Sequence, residues 1–316
     1  MEYWLALEYC LAVTVPVFII IFLGFYLKYR RDIDDSFVSG ASTLVFKVCL
    51  PILIFLSIVE NKVSILAQLP LVLFCMVSAV VCFGLFWRLS KFWVVGSDRG
   101  VVVQGAFRSN LGIIGLALCA KGFDQEGLAV GAVILAVVTP VYNVLSVFAL
   151  NYSQHGQQTV PVVKTLKDIA KNPLIIAIAL GFMVAQIDFK MPVVLYDTGS
   201  YLAAMTLPLA LISIGGSLSM RELKNSSQLS AWTVFAKLVL VPSLVVFPAY
   251  FMGFRGVEFG CILLMFASPT ATASFVMVRA MGGNYHLASN IIVLSTLFSA
   301  VSISLLLYLI KLLALI

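Results

Sequence analysis

Charged residues are scarce in this sequence. Only 11% of its 316 residues are Asp, Glu, Lys or Arg, whereas 62% are hydrophobic. A soluble domain carries about 25% charged residues, so the composition excludes an ordinary soluble globular protein. The chain has only two histidines, and no set of His, Asp and Glu lies within its apolar runs. An intramembrane enzyme or receptor is therefore disfavoured.

Cysteine is sparse as well. The six cysteines are scattered through apolar runs, and none forms a CxxC pair. This pattern disfavours a disulfide framework or a metal site, and it is typical of small buried hydrophobes. We expect no metal and no other cofactor.

Long apolar runs dominate the chain. A stretch of about 20 apolar residues spans a bilayer as an α-helix. Such runs recur ten times, which predicts an all-α membrane protein with ten transmembrane helices. They cover residues 5–28, 37–59, 68–88, 99–120, 127–150, 172–189, 194–219, 229–253, 257–281 and 287–313.

The lysines and arginines of the loops predict the orientation. Twelve of the 20 lie on one side of the predicted membrane and five on the other. The richer side is cytoplasmic by the positive-inside rule, so both termini are expected to be extracytoplasmic. The expected location is the plasma membrane, which in a bacterium is the inner membrane. The net charge of +6 reflects this topology and not nucleic-acid binding.

The two halves of the chain resemble each other. PVFIIIFLGF at 16–25 matches PLIIAIALGF at 173–182 at six of ten positions, an offset of 157 residues. The same offset carries Leu50-Pro51 onto Leu207-Pro208. Each half has five spans, and five is odd, so the second half enters the membrane from the opposite side. The sequence therefore predicts two inverted five-helix repeats, residues 1–150 and 172–316, an architecture of many secondary transporters.

A polar connector, residues 151–171, joins the halves on the cytoplasmic side. Apolar residues recur in it at helical spacing from Val162 to Ile169, with lysines between them. This spacing suits a short interfacial helix, and a solvated lead-in to span six explains it equally well.

Two spans carry residues that interrupt a membrane helix. FASPTATASFV at 266–276 places Pro269 among hydroxyl residues in span nine, and the offset carries Pro269 onto Gly112 in RSNLGIIG, span four. Proline removes a backbone donor, which lipid cannot replace. Paired interrupted spans mark transporter binding sites, so we expect broken helices to cross there. Each motif alone also fits a Pro-kinked helix with a small-residue packing face.

The candidate substrate-binding residues follow from this crossing. Helix N-termini there direct N–H groups at one cavity, and hydroxyl side chains satisfy freed backbone groups. The set is Arg108, Ser109, Asn110, Leu111, Gly112, Ser268, Pro269, Thr270, Thr272 and Lys237.

Three cations lie inside spans without an acid at the same depth. They are Lys47, Arg108 and Lys237. Unpaired intramembrane cations are costly and usually mark a substrate path, here for an anion. Lys47 is expected to snorkel or bind carbonyls, and Arg108 to serve the cavity. Lys237 is expected either to attract the anion or to pair with carbonyls at the C-terminus of a broken helix.

The chain resembles the auxin efflux carrier family across nearly its whole length. The matching stretches are LPILIF at 50–55, SNLGIIGLAL at 109–118, LPLALISIGGSL at 207–218, KLVLVP at 237–242, SPTATASFV at 268–276 and LSTLFS at 294–299. The resemblance implies a scaffold of spans 1, 2, 6 and 7 and a mobile transport unit of spans 3–5 and 8–10. It also implies crossing broken helices in spans four and nine, a homodimer through the scaffold, and small organic anions such as malate, malonate or auxin.

The expected function is therefore a carrier of small organic anions, namely carboxylates such as malate, malonate or auxin-like acids, that works by an elevator-type alternating-access mechanism. The alternative is a sodium-coupled organic-anion symporter of the related bile-acid type. Sodium commonly takes carboxylate ligands, and the predicted midplane supplies only hydroxyls, amides and carbonyls, so we rank the alternative lower. A channel is a further alternative, but two broken helices at a closed site suit a carrier better.

Overall fold

The structure is a computed structural model of the chain. It describes residues 2–60, 68–94, 96–155, 173–187, 191–218 and 227–316. The predicted interfacial helix of the connector, residues 162–169, lies outside the described residues. The α-helices of the described residues are α1 (Glu2–Tyr29), α2 (Asp35–Leu44), α3 (Leu50–Glu60), α4 (Leu69–Leu89), α5 (Asp98–Phe107), α6 (Leu116–His155), α7 (Pro173–Ala185), α8 (Val193–Ser217), α9 (Gln228–Phe235), α10 (Val241–Phe251), α11 (Gly256–Ala267), α12 (Ala273–Ala280) and α13 (Tyr285–Leu312).

Several of these helices are joined by π-helical turns. Val45–Cys49 joins α2 to α3, Ala236–Leu240 joins α9 to α10, and Leu111–Gly115 leads into α6. The long helix α6 is itself divided at Phe123 and Asp124, where Asp124 has a φ of 50°. π-Helical turns are rare in proteins, and those that occur are often found at functional sites.

Seven helical segments of the described chain are long and apolar enough to span a membrane. Two further apolar helices, Pro173–Ala185 and Gly256–Ala267, are shorter. Gly256–Ala267 has 12 residues and is about 18 Å long, less than the roughly 30 Å of a bilayer core. The predicted all-α membrane protein is confirmed, while the ten-span count stays a prediction.

The first group of packed helices consists of α1, α2, α3, α7 and α8. Helices α1 and α8 approach so closely that a Cβ atom added to Gly215 would overlap the carbonyl oxygen of Ile21. A Cβ atom on Gly24 would likewise overlap the backbone of Ile212. Small residues therefore bring these two backbones together, as is common for helices in membranes.

The second group contains α4, α5, α6 and α9–α13. Helices α5 and α11 lie in its centre, where Gly100–Phe107 and Phe259–Ala267 are buried on every side. A helix that is apolar all round belongs inside a bundle, which explains the position of Phe259–Ala267; Gly100–Phe107 differs only in its buried Gln104. Contacts between the groups include a hydrogen bond of 2.8 Å between the hydroxyls of Thr14 and Ser304.

The interior of the bundle is apolar. Buried side chains from α1 to α13 form one large hydrophobic cluster, with a smaller cluster between α5, α9, α12 and α13. The six cysteines are buried, as expected of small buried hydrophobes, and all of them except Cys49 belong to the large cluster: Cys10, Cys49, Cys75, Cys82, Cys119 and Cys261. Polar side chains in such an interior stand out, and many of them lie where α5 and α11 end.

Candidate functional site at the crossing of two broken helices

Helices α5 and α11 both stop at the predicted motifs inside the bundle. Helix α5 ends at Phe107, Arg108 is extended (φ −85°, ψ 104°), and helical structure resumes after Asn110. Helix α11 ends at Ala267, Ser268 is extended (φ −58°, ψ 147°), and α12 starts after Thr272. The first interruption comes earlier than the offset of 157 suggests.

The two interruptions pair with each other. The Asn110 N–H donates to the Pro269 carbonyl at 2.7 Å, and the Ala271 N–H donates to the Arg108 carbonyl at 3.1 Å. Ser109 and Thr270 form the antiparallel bridge between them. The predicted proximity of Asn110 and Pro269 is therefore observed, and a continuous Pro-kinked helix is not. Non-helical backbone at membrane depth requires such burial in protein, because lipid offers no hydrogen bonds.

Hydroxyl side chains satisfy the carbonyls that the ends of α5 and α11 leave free. The last four carbonyls of a helix have no intrahelical partner. Three hydroxyls donate to such carbonyls: Ser268 Oγ to Met265 O at 2.7 Å, Thr270 Oγ1 to Gly105 O at 2.7 Å, and Ser109 Oγ to Phe266 O at 3.2 Å. These hydroxyls thus act on the C-terminal side of the crossing, in the backbone-satisfying role that we expected of them.

The N-terminal side of the crossing differs, because a buried polar group there has no partner. The side chain of Asn110 is 5% exposed, and its Nδ2 has no acceptor among the described residues. The Asn110 carbonyl accepts from the Gly115 N–H at 3.0 Å, the first bond of the π-helical turn. The N–H groups before Gly115 in that turn consequently lack an intrahelical acceptor. This side of the crossing therefore presents donors.

The start of α12 also presents free polar groups. Thr272 is half-buried and makes no side-chain bond to cap the helix, and the buried Ser274 hydroxyl has no partner in the described part of the chain. A buried polar group without a partner costs about 1–3 kcal/mol, so the Asn110 amide and the Ser274 hydroxyl carry an energetic cost in this structure.

Arg108 is held by neutral groups. Its side chain is 6% exposed, with Nη2 donating to Asn143 Oδ1 at 2.7 Å and Nη1 to Ser146 Oγ at 3.2 Å. Nη1 also lies 2.9 Å from Met277 Sδ on α12. Arg108 therefore joins the first interruption to α6 and α12. The ion pairs of the described chain lie elsewhere, at Lys28–Asp35 and Arg30–Asp32, so the charge of Arg108 is not neutralised by an acid within that part.

The other two intramembrane cations, Lys47 and Lys237, lie in π-helical turns. Lys237 is fully buried, and its Nζ donates to the Phe266 carbonyl at 2.8 Å and to Ser109 Oγ at 2.6 Å. Of the two roles expected for Lys237, these contacts match pairing with the C-terminal carbonyls of a broken helix. Lys47 is exposed in the turn before α3, and its snorkelling stays a prediction.

The remaining candidates shape the site without polar side chains. Leu111 is buried in the apolar cluster. Gly112 lies one residue into the π-helical turn, directly after the interruption at residues 108–110. A Cβ atom added to Gly112 would sit 3.6 Å from Leu135 and 3.8 Å from both Leu50 and Phe46. Gly112 therefore lies between Leu135 of α6 and two residues of the first helix group, Leu50 and Phe46.

Sequence reasoning did not identify the partners of Arg108. Asn143 and Ser146 lie three residues apart, on one face of the apolar helix α6, and this spacing is a signal that the sequence does contain. Ser295 on α13, which accepts from the Thr270 N–H at 3.1 Å, lies in the LSTLFS stretch but was not among the candidate residues. Val276 on α12 is 64% exposed and does not line the crossing.

Comparison with known proteins agrees with a transport role. A family model described as membrane transport protein matches residues 10–307. A Rhizobium meliloti (strain 1021) protein named "Putative malonate transporter" is 28% identical over 306 residues, which cover 94% of this chain and 95% of that protein. An uncharacterised transporter of Methanothermobacter thermautotrophicus is 25% identical, covering 92% and 95% of the two chains. One of Methanocaldococcus jannaschii is 22% identical, covering 93% and 96%. The chain therefore belongs to the auxin efflux carrier-like membrane transport protein family.

Proposed function

We propose that the protein is a secondary carrier of small organic anions, with carboxylates such as malonate, malate or auxin-like acids as substrates. Its substrate site is the N-terminal side of the crossing between α5–α6 and α11–α12. The name of the Rhizobium meliloti relative makes malonate the first compound to test.

The observation that carries this proposal is the Asn110 amide. Its Nδ2 is buried beside the crossing and has no acceptor among the described residues. A carboxylate oxygen is a strong acceptor, and hydrogen bonds to charged groups contribute about 1.5–3 kcal/mol. A carboxylate bound there also meets the N–H groups of two helix starts, which favour negative charge by up to about 2 kcal/mol each.

The charges around the crossing favour an anion over a cation or a neutral solute. Arg108 has neutral hydrogen-bond partners in Asn143 and Ser146. Its positive charge therefore reaches the site without cancellation by a carboxylate of the described chain. The surrounding wall is apolar, with Leu111 and Ile113 buried beside the donors. An organic anion with some carbon fits such a wall better than a fully hydrated inorganic ion.

The mechanism that we propose is elevator-type alternating access. The helix group α1, α2, α3, α7 and α8 is the scaffold, and the group that holds the crossing is the mobile unit. Gly112 faces Leu50 of the scaffold, so the proposed site borders the surface along which the mobile unit slides. We propose ten spans in two inverted repeats, extracytoplasmic termini, a plasma-membrane location and a homodimer through the scaffold.

Binding to the purified protein tests the substrate class. Malonate, malate and indole-3-acetate are compared with malonamide, which has the size of malonate but no charge, and with methylammonium. We expect at least one of the carboxylates to bind at least tenfold more tightly than malonamide and methylammonium. Binding of malonamide equal to that of every carboxylate would contradict an anion site.

A further inference from the structure

Lys237 is a fully buried cation whose contacts lie on the C-terminal side of the crossing. Its Nζ donates to the carbonyl of Phe266, one residue before the end of α11, at 2.8 Å. It also donates to Ser109 Oγ, two residues beyond the end of α5, at 2.6 Å. Lys237 itself is 0% exposed, so its ammonium does not reach solvent.

The ends of the two half-helices supply the counter-charge for this ammonium. A buried charge is costly unless it is compensated. The C-terminus of a helix carries about −0.5 elementary charge, so the ends of α5 and α11 together supply about −1. One ammonium balances that charge. The N-termini that follow, at Leu111 and Ala273, keep their partial positive charge for the anion.

The same position suits a small metal cation. In transporters built from broken helices, half-helix C-termini and unwound carbonyls coordinate the coupling Na⁺. The ligands of the Lys237 ammonium are of this kind, one carbonyl oxygen and one hydroxyl oxygen. We infer that the Lys237 ammonium is a resident cation that occupies the place of a coupling cation, so that transport needs no sodium.

This inference rests on the proposed function for its consequence in transport, but its structural claim stands without a substrate. Removing the ammonium exposes two helix C-termini and the Ser109 hydroxyl to an empty, negative site. That site should then take up a small monovalent cation. The inference therefore also separates the proposed carrier from a sodium-coupled symporter.

Thermal unfolding of the purified protein tests the structural claim. Lys237→Ser makes space and adds a hydroxyl ligand, while Lys47→Ser removes another intramembrane lysine as the matched control. Tm is measured in choline chloride and with rising NaCl or KCl at constant ionic strength. We expect a saturable rise in the Tm of Lys237→Ser with Na⁺ or K⁺, because a ligand that binds the folded state stabilises it. The parent and Lys47→Ser should show no such rise.

Two outcomes of the unfolding experiment would overturn the inference. The first is a Lys237→Ser protein that is folded but indifferent to Na⁺ and K⁺. The second is a parent protein whose Tm rises saturably with Na⁺. If Lys237→Ser does not fold, the Tm values of Lys237→Arg and Lys237→Gln are compared instead. Both side chains donate hydrogen bonds, but only Arg keeps the charge. The Arg variant should then keep the higher Tm, and equal Tm values would contradict the inference.

Transport in proteoliposomes tests the consequence, with malonate as the probe. We expect the parent to move malonate at rates within twofold of each other in NaCl and in choline chloride. A loss of more than tenfold in choline chloride would overturn the inference while supporting a carrier. Absence of transport for malonate and the other carboxylates in both salts would count against the proposed function, and the unfolding experiment would still decide the role of Lys237.

Discussion

Replacing Asn110 by Ala should weaken substrate binding without destabilising the empty protein. The Asn110 Nδ2 group is buried and has no acceptor among the described residues. An unsatisfied buried donor costs about 1–3 kcal/mol, so its removal relieves a penalty in the ligand-free state. The same group donates to the carboxylate in the proposed complex. A function-specific residue thus lowers stability when its ligand is absent.

The expected loss of affinity follows from the hydrogen bond that is removed. A hydrogen bond to a charged acceptor contributes about 1.5–3 kcal/mol. At about 1.4 kcal/mol per tenfold change, Kd should rise by roughly 10- to 150-fold. The main-chain bond from the Asn110 N–H to Pro269 O is kept by Ala, so the crossing itself should persist. We expect Tm without substrate to be equal to that of the parent or higher.

The assay combines Tm and malonate binding on purified protein, with Ser268→Ala as the matched control. Ser268 is a buried polar residue of the same crossing, but its Oγ already donates to Met265 O at 2.7 Å. Its loss leaves a carbonyl unsatisfied, so the control should lower Tm and change Kd by less than threefold. An Asn110→Ala protein with lower Tm and unchanged Kd would show that the amide serves packing, and the reasoning would be refuted.

Two other substitutions have defined outcomes. Gly215→Ala should lower the free energy of unfolding by at least about 1–3 kcal/mol, because its Cβ would overlap the Ile21 carbonyl. The control Gly40→Ala has open space around the new Cβ and should be neutral or stabilising by up to about 1 kcal/mol. Equal Tm values for the two variants would contradict the close packing of α1 on α8. Arg108→Lys should lower transport at least tenfold, since Lys lacks the rigid planar guanidinium whose two nitrogens donate separately to Asn143 and Ser146. A rate within twofold of the parent would show that charge alone suffices.

The position of the crossing could be predicted because it depends on backbone chemistry. Pro269 cannot donate a hydrogen bond, and Asn110-Leu111-Gly112 combines a polar and a flexible residue inside an apolar run. Proline alone does not interrupt a helix here, because Pro16, Pro140, Pro208 and Pro248 lie inside α-helices. That the two motifs would pair could be predicted because they occupy similar places in the two halves of the chain.

The partners of the buried cations could not be predicted from local sequence. Lys237 donates to Phe266 and Ser109, which are 29 and 128 residues away along the chain. Only the packing of α9–α10 against both half-helices brings them together. The start of the first interruption, at Arg108 and not at Gly112, depends on the same contacts, because the Arg108 carbonyl is free to accept from Ala271 only in an extended conformation.

Counterflow of malonate in proteoliposomes tests the central claim most directly. Vesicles loaded with unlabelled malonate are diluted into labelled malonate, so that a carrier with alternating access accumulates label transiently. We predict a saturable overshoot for the parent, a strongly reduced one for Asn110→Ala at the same malonate concentration, and none with empty vesicles. Entry of label that neither saturates nor depends on internal malonate would contradict a carrier, and an unchanged overshoot in Asn110→Ala would contradict a substrate site at the crossing.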